Sequence, residues 1–118
     1  MIVHITSKIA WESAQDEGSY RGDTLESEGF IHCSRLEQVL GVANDRFPGE
    51  EGLVLLCIAE ERASAEIRYE DCYETGEAFP HIYGPLNRDA VVRVVDFPPR
   101  ADGTFTLPPA LTGGSYAT

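Results

Sequence analysis

The chain has 118 residues, of which 42% are hydrophobic and 25% are charged, as is typical of one globular domain with its own core. Its formal net charge of −11 comes from 20 acidic and 9 basic residues. Because so acidic a surface repels phosphate backbones and anionic membranes, we expect neither non-specific nucleic-acid binding nor membrane binding. A local cationic pocket stays compatible with this charge.

The cysteines and the N-terminus indicate the cellular setting. Cys33, Cys57 and Cys72 are odd in number and form no CxxC pair, so neither a disulfide framework nor a structural zinc site of the usual spacing is expected. The N-terminus lacks a charged segment followed by an apolar one, and no apolar run approaches the length of a membrane span. These features predict a cytoplasmic protein with reduced thiols.

The N-terminal segment predicts a strand, a helix and a loop, in that order. A β-branched strand at residues 2–5 precedes a helix that Thr6 or Ser7 can cap. Residues 18–28 are rich in Gly, Ser and Asp, which predicts a loop. Tyr20 lies inside this loop, where an aromatic side chain has little local reason to be buried.

The stretch Gly-Phe-Ile-His-Cys-Ser at residues 29–34 predicts a strand that leads into a second helix. Alternation along the strand places His32 and Ser34 on one face. The spacing of Ser34 and Glu37 fits a capping box. Apolar residues at helical spacing then predict a helix that runs to about Phe47. A histidine delivered to the start of a helix favours a polar site there.

The second half of the chain is dominated by strands. The apolar run at 53–58 predicts a central strand buried on both faces. Residues 67–70 alternate and predict a strand with one solvated face. The segment 79–86 is aromatic-rich, with prolines near both ends that limit sheet pairing. Residues 90–97 predict another buried or half-buried strand.

These elements predict a single α+β domain over residues 1–106, followed by an extended or disordered tail at 107–118. The expected sheet is small, split or strongly bent, and mainly antiparallel. Two helices, both in the N-terminal half, pack against it.

The three histidines, His4, His32 and His81, each lie on or beside a predicted strand. Three histidines and a water form one known catalytic zinc arrangement. No HxH or HxxxH spacing is present, so the spacing gives no support for a metal, and we expect none. Core histidines bonded to backbone groups are the plain alternative, although three such residues at strand ends favour a shared cleft.

Glu70 and the segment 79–86 offer further groups for a site. A carboxylate at a strand end can hold a sugar hydroxyl or act as a general base, or it can be one solvated acid among 20. His81 and Tyr83 present rings on a proline-flanked segment, either as a stacking wall for a planar ligand or as an aromatic lid over the core. The common glycine motifs for phosphate and dinucleotide binding are absent.

Taken together and in this order, the motifs resemble an uncharacterised bacterial family called domain of unknown function 952. The matching residues are His4-Ile5-Thr6 with Trp11, Tyr20 with Gly22, Gly29-Phe30-Ile31-His32-Cys33-Ser34 with Gln38, Glu70, and Phe79-Pro80-His81-Ile82-Tyr83-Gly84-Pro85-Leu86. The resemblance covers about residues 2–97 and leaves out the tail.

That family is similar in fold to the ADP-ribosyltransferases, in which NAD lies in a cleft between the two halves of a split β-sheet. The resemblance therefore implies an ADP-ribosyltransferase-like fold with NAD as the cofactor. In such enzymes a first-strand histidine, with a Thr or Ser two residues later, engages the ribose and nicotinamide end, and His4 and Thr6 match this pattern. A second strand supports the nicotinamide, and His32 and Ser34 fall at the corresponding place.

The resemblance also implies roles in the reaction. A later glutamate in those enzymes bonds the ribose hydroxyl next to the scissile bond, and Glu70 is the candidate here. We therefore predict Glu70 and His32 as catalytic residues. The predicted cofactor-binding residues, two of which belong to the family's own second motif, are His4, Thr6, Ser34, His81 and Tyr83.

Two functions follow from this interpretation. The first is an NAD-dependent ADP-ribosyl- or phosphotransferase-like enzyme that acts in a histidine-lined cleft. The second is a non-catalytic module of the same fold that binds a small molecule or nucleotide. The two hypotheses differ in whether Glu70 faces the cleft with the histidines or faces solvent.

Overall fold

The structure, a computed structural model, describes residues 1–22, 24–71 and 74–111. The strands are β1 (Ile2–Ser7), β2 (Ser19–Tyr20), β3 (Ile31–His32), β4 (Ser34–Arg35), β5 (Leu53–Ile58), β6 (Ile67–Glu70), β7 (Phe79–Ile82), β8 (Leu86–Asn87) and β9 (Val91–Asp96). The helices are α1 (Lys8–Glu17), α2 (Leu25–Glu28) and α3 (Val39–Arg46), with 3₁₀ turns at Glu60–Arg62, Arg88–Ala90 and Pro109–Leu111. Within the described part of the chain, no helix is long and apolar enough to cross a membrane.

The strands form three antiparallel sheets rather than one. The largest has the order β4-β1-β5-β9, the second has the order β3-β7-β6, and β2 pairs with β8. The predicted α+β class with a split, antiparallel sheet is confirmed at this level. Three α-helices, rather than the predicted two, lie in the N-terminal half, because a short helical turn precedes the strand that carries His32.

Strand β5 is the centre of the fold, as its unbroken apolar run predicts. All six of its residues are buried. Alternate residues face two separate core clusters, as the period of a strand requires. Leu56 lies in the cluster that includes Ile31 and Ile82, whereas Leu55 lies in the cluster that includes Phe97. The two faces of β5 therefore hold together the two halves of the molecule.

The loop predicted over residues 18–28 contains β2 and α2, and the expectation that Tyr20 is not buried is wrong. Tyr20 is only 4% exposed, because its ring joins the core and its hydroxyl finds polar partners inside the protein. Helix α2 ends at Gly29, whose φ of 89° suits a residue without a side chain. Ser7 caps α1 as predicted, accepting from the Ala10 N–H.

The capping box predicted at Ser34 and Glu37 is wrong. Ser34 lies in β4, opposite Val3 of β1, and α3 begins only at Val39. The Glu37 carboxylate instead accepts from Arg35 Nε. Strand pairing thus takes Ser34 away from the helix, because the backbone of β4 is already committed to the sheet.

The prediction that prolines limit pairing in 79–86 is also wrong, since β7 is the middle strand of its sheet. Pro80 lies opposite Tyr69 on one side. It lacks an N–H to donate, but its carbonyl accepts from the Cys33 N–H at 3.0 Å. Pro80 thus takes part in the pairing as an acceptor only.

The C-terminal part agrees with the prediction in one respect and differs from it in another. Strand β9 is an edge strand and is half-buried rather than buried, the second of the two predicted alternatives, with Val92 and Val94 exposed and Val91 and Val95 partly buried. Past the boundary predicted at residue 106, the Pro109–Leu111 turn packs on the core and Leu111 is 1% exposed. The rest of the predicted tail, residues 112–118, lies outside the described residues.

Candidate functional site

A cavity of about 700 Å³ opens where β1, the β3–β4 segment, α3 and the start of β7 meet. This volume lies in the range usual for small-molecule sites. Its wall includes polar and titratable side chains from four separate parts of the chain. They are His4, Thr24, His32, Ser34, Gln38, Asp45, Arg46, Thr75, Glu77 and His81. The three histidines thus share one cavity, although they are far apart in the sequence.

His4 is held in one orientation by bonds at both ring nitrogens. Its Nδ1 donates to the backbone carbonyl of His32, an acceptor that fixes the proton on this nitrogen. Its Nε2 is hydrogen-bonded to the Tyr20 hydroxyl at 2.8 Å, and that hydroxyl is 2.8 Å from Thr6 Oγ1. His4 is 9% exposed. The result is a buried chain of polar groups that links β1 to β2 and β3.

Thr6 and Tyr20 lie beyond His4 as seen from the cavity. Both line a second cavity of about 510 Å³, together with Arg21 and Gly22. Ile5 and Phe47 line both cavities. Thr6 is therefore coupled to the first cavity through Tyr20 and His4 rather than by lining it.

His32 lies at the mouth of the cavity, and its side chain is 28% exposed. Its Nε2 is 3.0 Å from Glu28 Oε1, four residues earlier. The Phe30 ring packs edge-on against it, with 4.8 Å between ring centroids. His32 is therefore placed by the turn between α2 and β3, and it remains open to solvent.

His81 lies directly across from His32 on the neighbouring strand, with 5.4 Å between ring centroids. It is 1% exposed, and Phe30 stacks on it at 4.1 Å. Its Nδ1 donates to Glu70 Oε1 at 2.9 Å, which orients the ring as carboxylates orient histidines in many sites. Burial, stacking and this bond together fix the imidazole.

Glu70 and Tyr83 support His81 from behind. The Tyr83 hydroxyl donates to the same Oε1 atom of Glu70 that His81 uses. These two donors, Tyr83 first, hold the pKa of Glu70 below its ordinary value. The Arg68 guanidinium lies 4.5 Å above the Tyr83 ring centre. Neither Glu70 nor Tyr83 is among the residues that line the cavity.

Ser34 is the residue of the cavity wall whose hydroxyl is available to a bound molecule. It is 5% exposed and lies beside β1. Its hydroxyl has no hydrogen-bond partner among the described residues. Every fully buried side-chain polar atom in this part of the chain has a partner, so the Ser34 hydroxyl must keep some exposed surface. The hydroxyl therefore has access to the cavity, where a bound molecule can supply its partner.

Gln38 and Glu77 close the opposite wall. Gln38 Oε1 accepts from the Arg35 N–H at 2.9 Å, and its Nε2 donates to the Ala78 carbonyl at 2.8 Å and to Glu77 Oε2 at 3.1 Å. Gln38 is 5% exposed. Its amide thus joins the turn before α3 to the segment that leads into β7.

The thiol next to His32 is poorly suited to nucleophilic attack. Cys33 lines the cavity but is 5% exposed, and burial raises the pKa of its thiol far above the ordinary value. A thiol with a raised pKa carries little thiolate at neutral pH. Within residues 1–22, 24–71 and 74–111, no group of three or more side chains is arranged to hold a metal ion.

The predicted site residues thus divide into two sets. His4, His32, Ser34 and His81 line one cavity, and Thr6, Glu70 and Tyr83 do not. Thr6 reaches His4 through the Tyr20 hydroxyl, Glu70 bonds His81 directly, and Tyr83 bonds Glu70. The assigned roles in catalysis and cofactor binding stay predictions.

The sequence does not single out Phe30, whose ring packs against two histidines, or Glu77, which lines the cavity. A signal for Phe30 was its position two residues before His32, which puts both side chains on the same side of an extended segment. No local signal identifies Glu77, because its place depends on a glutamine 39 residues away.

Comparison with known proteins identifies related chains. The family model described as a protein of unknown function, DUF952, matches residues 5–94. Two crystal structures of the protein CC0527 from Caulobacter crescentus, one of them a double mutant, are 34% identical to this chain at a TM-score of 0.81. Each alignment covers 90% of this chain and 93% of the other.

A solution NMR structure of the same Caulobacter protein is also similar. It is 33% identical, covers 87% of this chain and 89% of the other, and has a TM-score of 0.68. No curated protein matches the chain. The comparisons therefore identify a family and a fold shared with CC0527, and the site has to be interpreted from its own chemistry.

Proposed function

Because the chain belongs to the DUF952 family, whose description leaves the function open, we propose a function from the site: binding of NAD or a related ribosyl phosphate, followed by transfer of its ribosyl group. The observation that carries the proposal is the meeting of His4, His32, Ser34 and His81 around one cavity of about 700 Å³. Groups from four strands converge there, and hydrogen bonds fix the rings of His4 and His81, as suits a site for one polar ligand.

The fold supports the same proposal. A sheet split into separate halves, with a cavity bordered by both, is the arrangement that the resemblance to ADP-ribosyltransferases implies. In this proposal His4 and Ser34 bind the nicotinamide and ribose end of the ligand. His32 is the catalytic residue at the mouth, and His81 lies across from it.

Thr6, Glu70 and Tyr83 act through the ligand-facing histidines in this proposal. Thr6 holds His4 through the Tyr20 hydroxyl. Glu70, with Tyr83 behind it, holds His81. Hydrogen bonds of this kind fix the tautomer and direction of a ring that has to meet a ligand.

A second candidate function is a binding module of the same fold that takes a nucleotide or other small molecule without reaction. The contacts of Glu70 favour it, since one oxygen already accepts from both His81 and Tyr83 and the residue does not line the cavity. This candidate predicts saturable binding with no loss of nicotinamide.

The test is incubation of the purified protein with NAD labelled in the nicotinamide ring. We expect labelled nicotinamide to be released, and we expect His32→Gln to abolish the release while the melting temperature stays unchanged. Glu61→Gln, on an exposed turn away from the cavity, serves as the control. Binding without release supports the module, and absence of both contradicts NAD as the ligand.

A further inference from the structure

The ribosyl transfer proposed above requires negative charge near the reacting sugar. The bond between the ribose carbon and the nicotinamide nitrogen breaks, and its electron pair leaves with the nitrogen, so the departing ring is neutral. The ribosyl carbon becomes cationic until an acceptor oxygen bonds to it and releases its proton to solvent. A carboxylate beside the ring stabilises such an oxocarbenium-like state.

Two carboxylates line the cavity within the described part of the chain, Asp45 and Glu77. Asp45 lies on an exposed stretch of α3 and has no hydrogen bond or ion pair to any described residue. Glu77 is exposed at the rim of the cavity, but one of its oxygens is fixed by Gln38. The held carboxylate is the better stabiliser, because a preorganised charge needs no reorientation during the reaction.

Gln38 is well suited to hold that carboxylate. Its Oε1 faces the Arg35 backbone N–H and therefore has to be the acceptor end of the amide. Its Nε2 is then the donor end, and it donates to both the Ala78 carbonyl and Glu77 Oε2. The other oxygen of Glu77, Oε1, has no partner among the described residues.

The segment that carries Glu77 is also braced on its N-terminal side. The Asp71 carboxylate accepts from the backbone N–H groups of Thr75 at 3.0 Å and Gly76 at 2.7 Å. Arg35 Nη1 adds a bond to the Ala78 carbonyl at 3.3 Å. The backbone is thus held on both sides of Glu77, and the bond from Gln38 holds its carboxylate at the cavity rim.

We propose that Glu77 is the catalytic carboxylate that contacts the ribosyl group, and that Gln38 is the residue that positions it. The inference rests on the proposed function and replaces Glu70 in the carboxylate role. In this assignment Glu70 has one role, which is to position His81. The ligand portion placed next to Glu77 is a ribose, which offers hydroxyl donors to the open Oε1 atom as well as the developing charge.

The test compares Glu77→Gln with Glu61→Gln, the same change at an exposed carboxylate that does not line the cavity. Nicotinamide release and NAD affinity are measured on each full-length variant, with thermal melting as a check on folding. We expect Glu77→Gln to lower kcat by roughly 100-fold with little change in NAD affinity, and Glu61→Gln to retain the wild-type rate. Full activity in Glu77→Gln, with an active wild-type protein, overturns the inference alone.

A double-mutant cycle tests the role of Gln38 separately. Gln38→Met keeps the length of the side chain and removes its amide. We expect it to lower kcat in the wild-type background and to have no further effect in Glu77→Gln, because the two residues act as a unit. Equal loss in both backgrounds overturns the positioning role. A wild-type protein that neither binds NAD nor releases nicotinamide overturns the proposed function itself, together with this role.

Discussion

Removal of one hydroxyl tests whether the buried polar chain at His4 holds the site together. Tyr20→Phe deletes the group that bonds both His4 Nε2 and Thr6 Oγ1, each at 2.8 Å, at a residue only 4% exposed. A buried hydrogen bond contributes about 1 kcal/mol net, and a group that loses its partner costs about 1–3 kcal/mol. We therefore expect a loss of roughly 2 kcal/mol in the free energy of unfolding.

Urea unfolding, followed by circular dichroism, measures this loss. With an m-value of about 1–3 kcal/mol per molar urea, the midpoint falls by roughly 1 M. Tyr69→Phe is the matched control, because its hydroxyl also donates at 2.8 Å, to Glu60 Oε2, but its side chain is 44% exposed. The control is expected to lose less than about 0.5 kcal/mol. Equal losses in the two variants would refute the reasoning.

Two other predictions concern acid stability and thiol reactivity. The lowered pKa of Glu70 means that its bonds to Tyr83 and His81 stabilise the fold above the ordinary value of 4.5 and lose this effect as pH falls through the lowered folded-state pKa. Wild type is therefore expected to melt at a higher temperature than Glu70→Gln, by a difference that shrinks below pH 4.5. A difference that grows below pH 4.5 would contradict this role of Glu70. Cys33 and Cys57 are buried, and burial raises the pKa of both thiols. We therefore expect mass spectrometry to find both unlabelled by iodoacetamide until urea unfolds the chain. Rapid labelling of either thiol in the folded protein would contradict this expectation.

The parts of the fold that sequence predicts well are those with a strong local pattern. The unbroken apolar run at 53–58 favours a strand buried on both faces, and β5 is such a strand at the centre of the core. Ser7 likewise has the local chemistry of a helix cap and acts as one. In both places, the residues and their immediate neighbours determine the structure.

The failures occur where distant partners outweigh a local preference. Ser34 and Glu37 have capping-box spacing, but pairing with β1 draws Ser34 into a strand. Tyr20 lies in a segment of loop composition, and its hydroxyl is bonded by His4 and Thr6, which precede it by 16 and 14 residues and are separated from it by α1. Pro80 lies in the middle strand of its sheet, where it takes part in the pairing as an acceptor from the Cys33 N–H, a residue 47 positions earlier in the chain.

The candidate site shows the same division. Three histidines on or beside predicted strands favoured a shared cleft over separate core positions, and all three line one cavity. The bonds behind them were not predictable, because the contact of Glu70 with His81 and that of Glu77 with Gln38 depend on how the segments meet in space. Two acids of the same type, seven residues apart in the sequence, therefore face different parts of the molecule.

A crystal structure of the protein with NAD bound tests the proposed ribose site most directly. We expect the nicotinamide ribose in the cavity lined by His4, Ser34 and His81, with the Glu77 carboxylate within hydrogen-bond distance of a ribose hydroxyl. Ordered NAD at any other place on the molecule, or no NAD bound at saturating concentration, would contradict it.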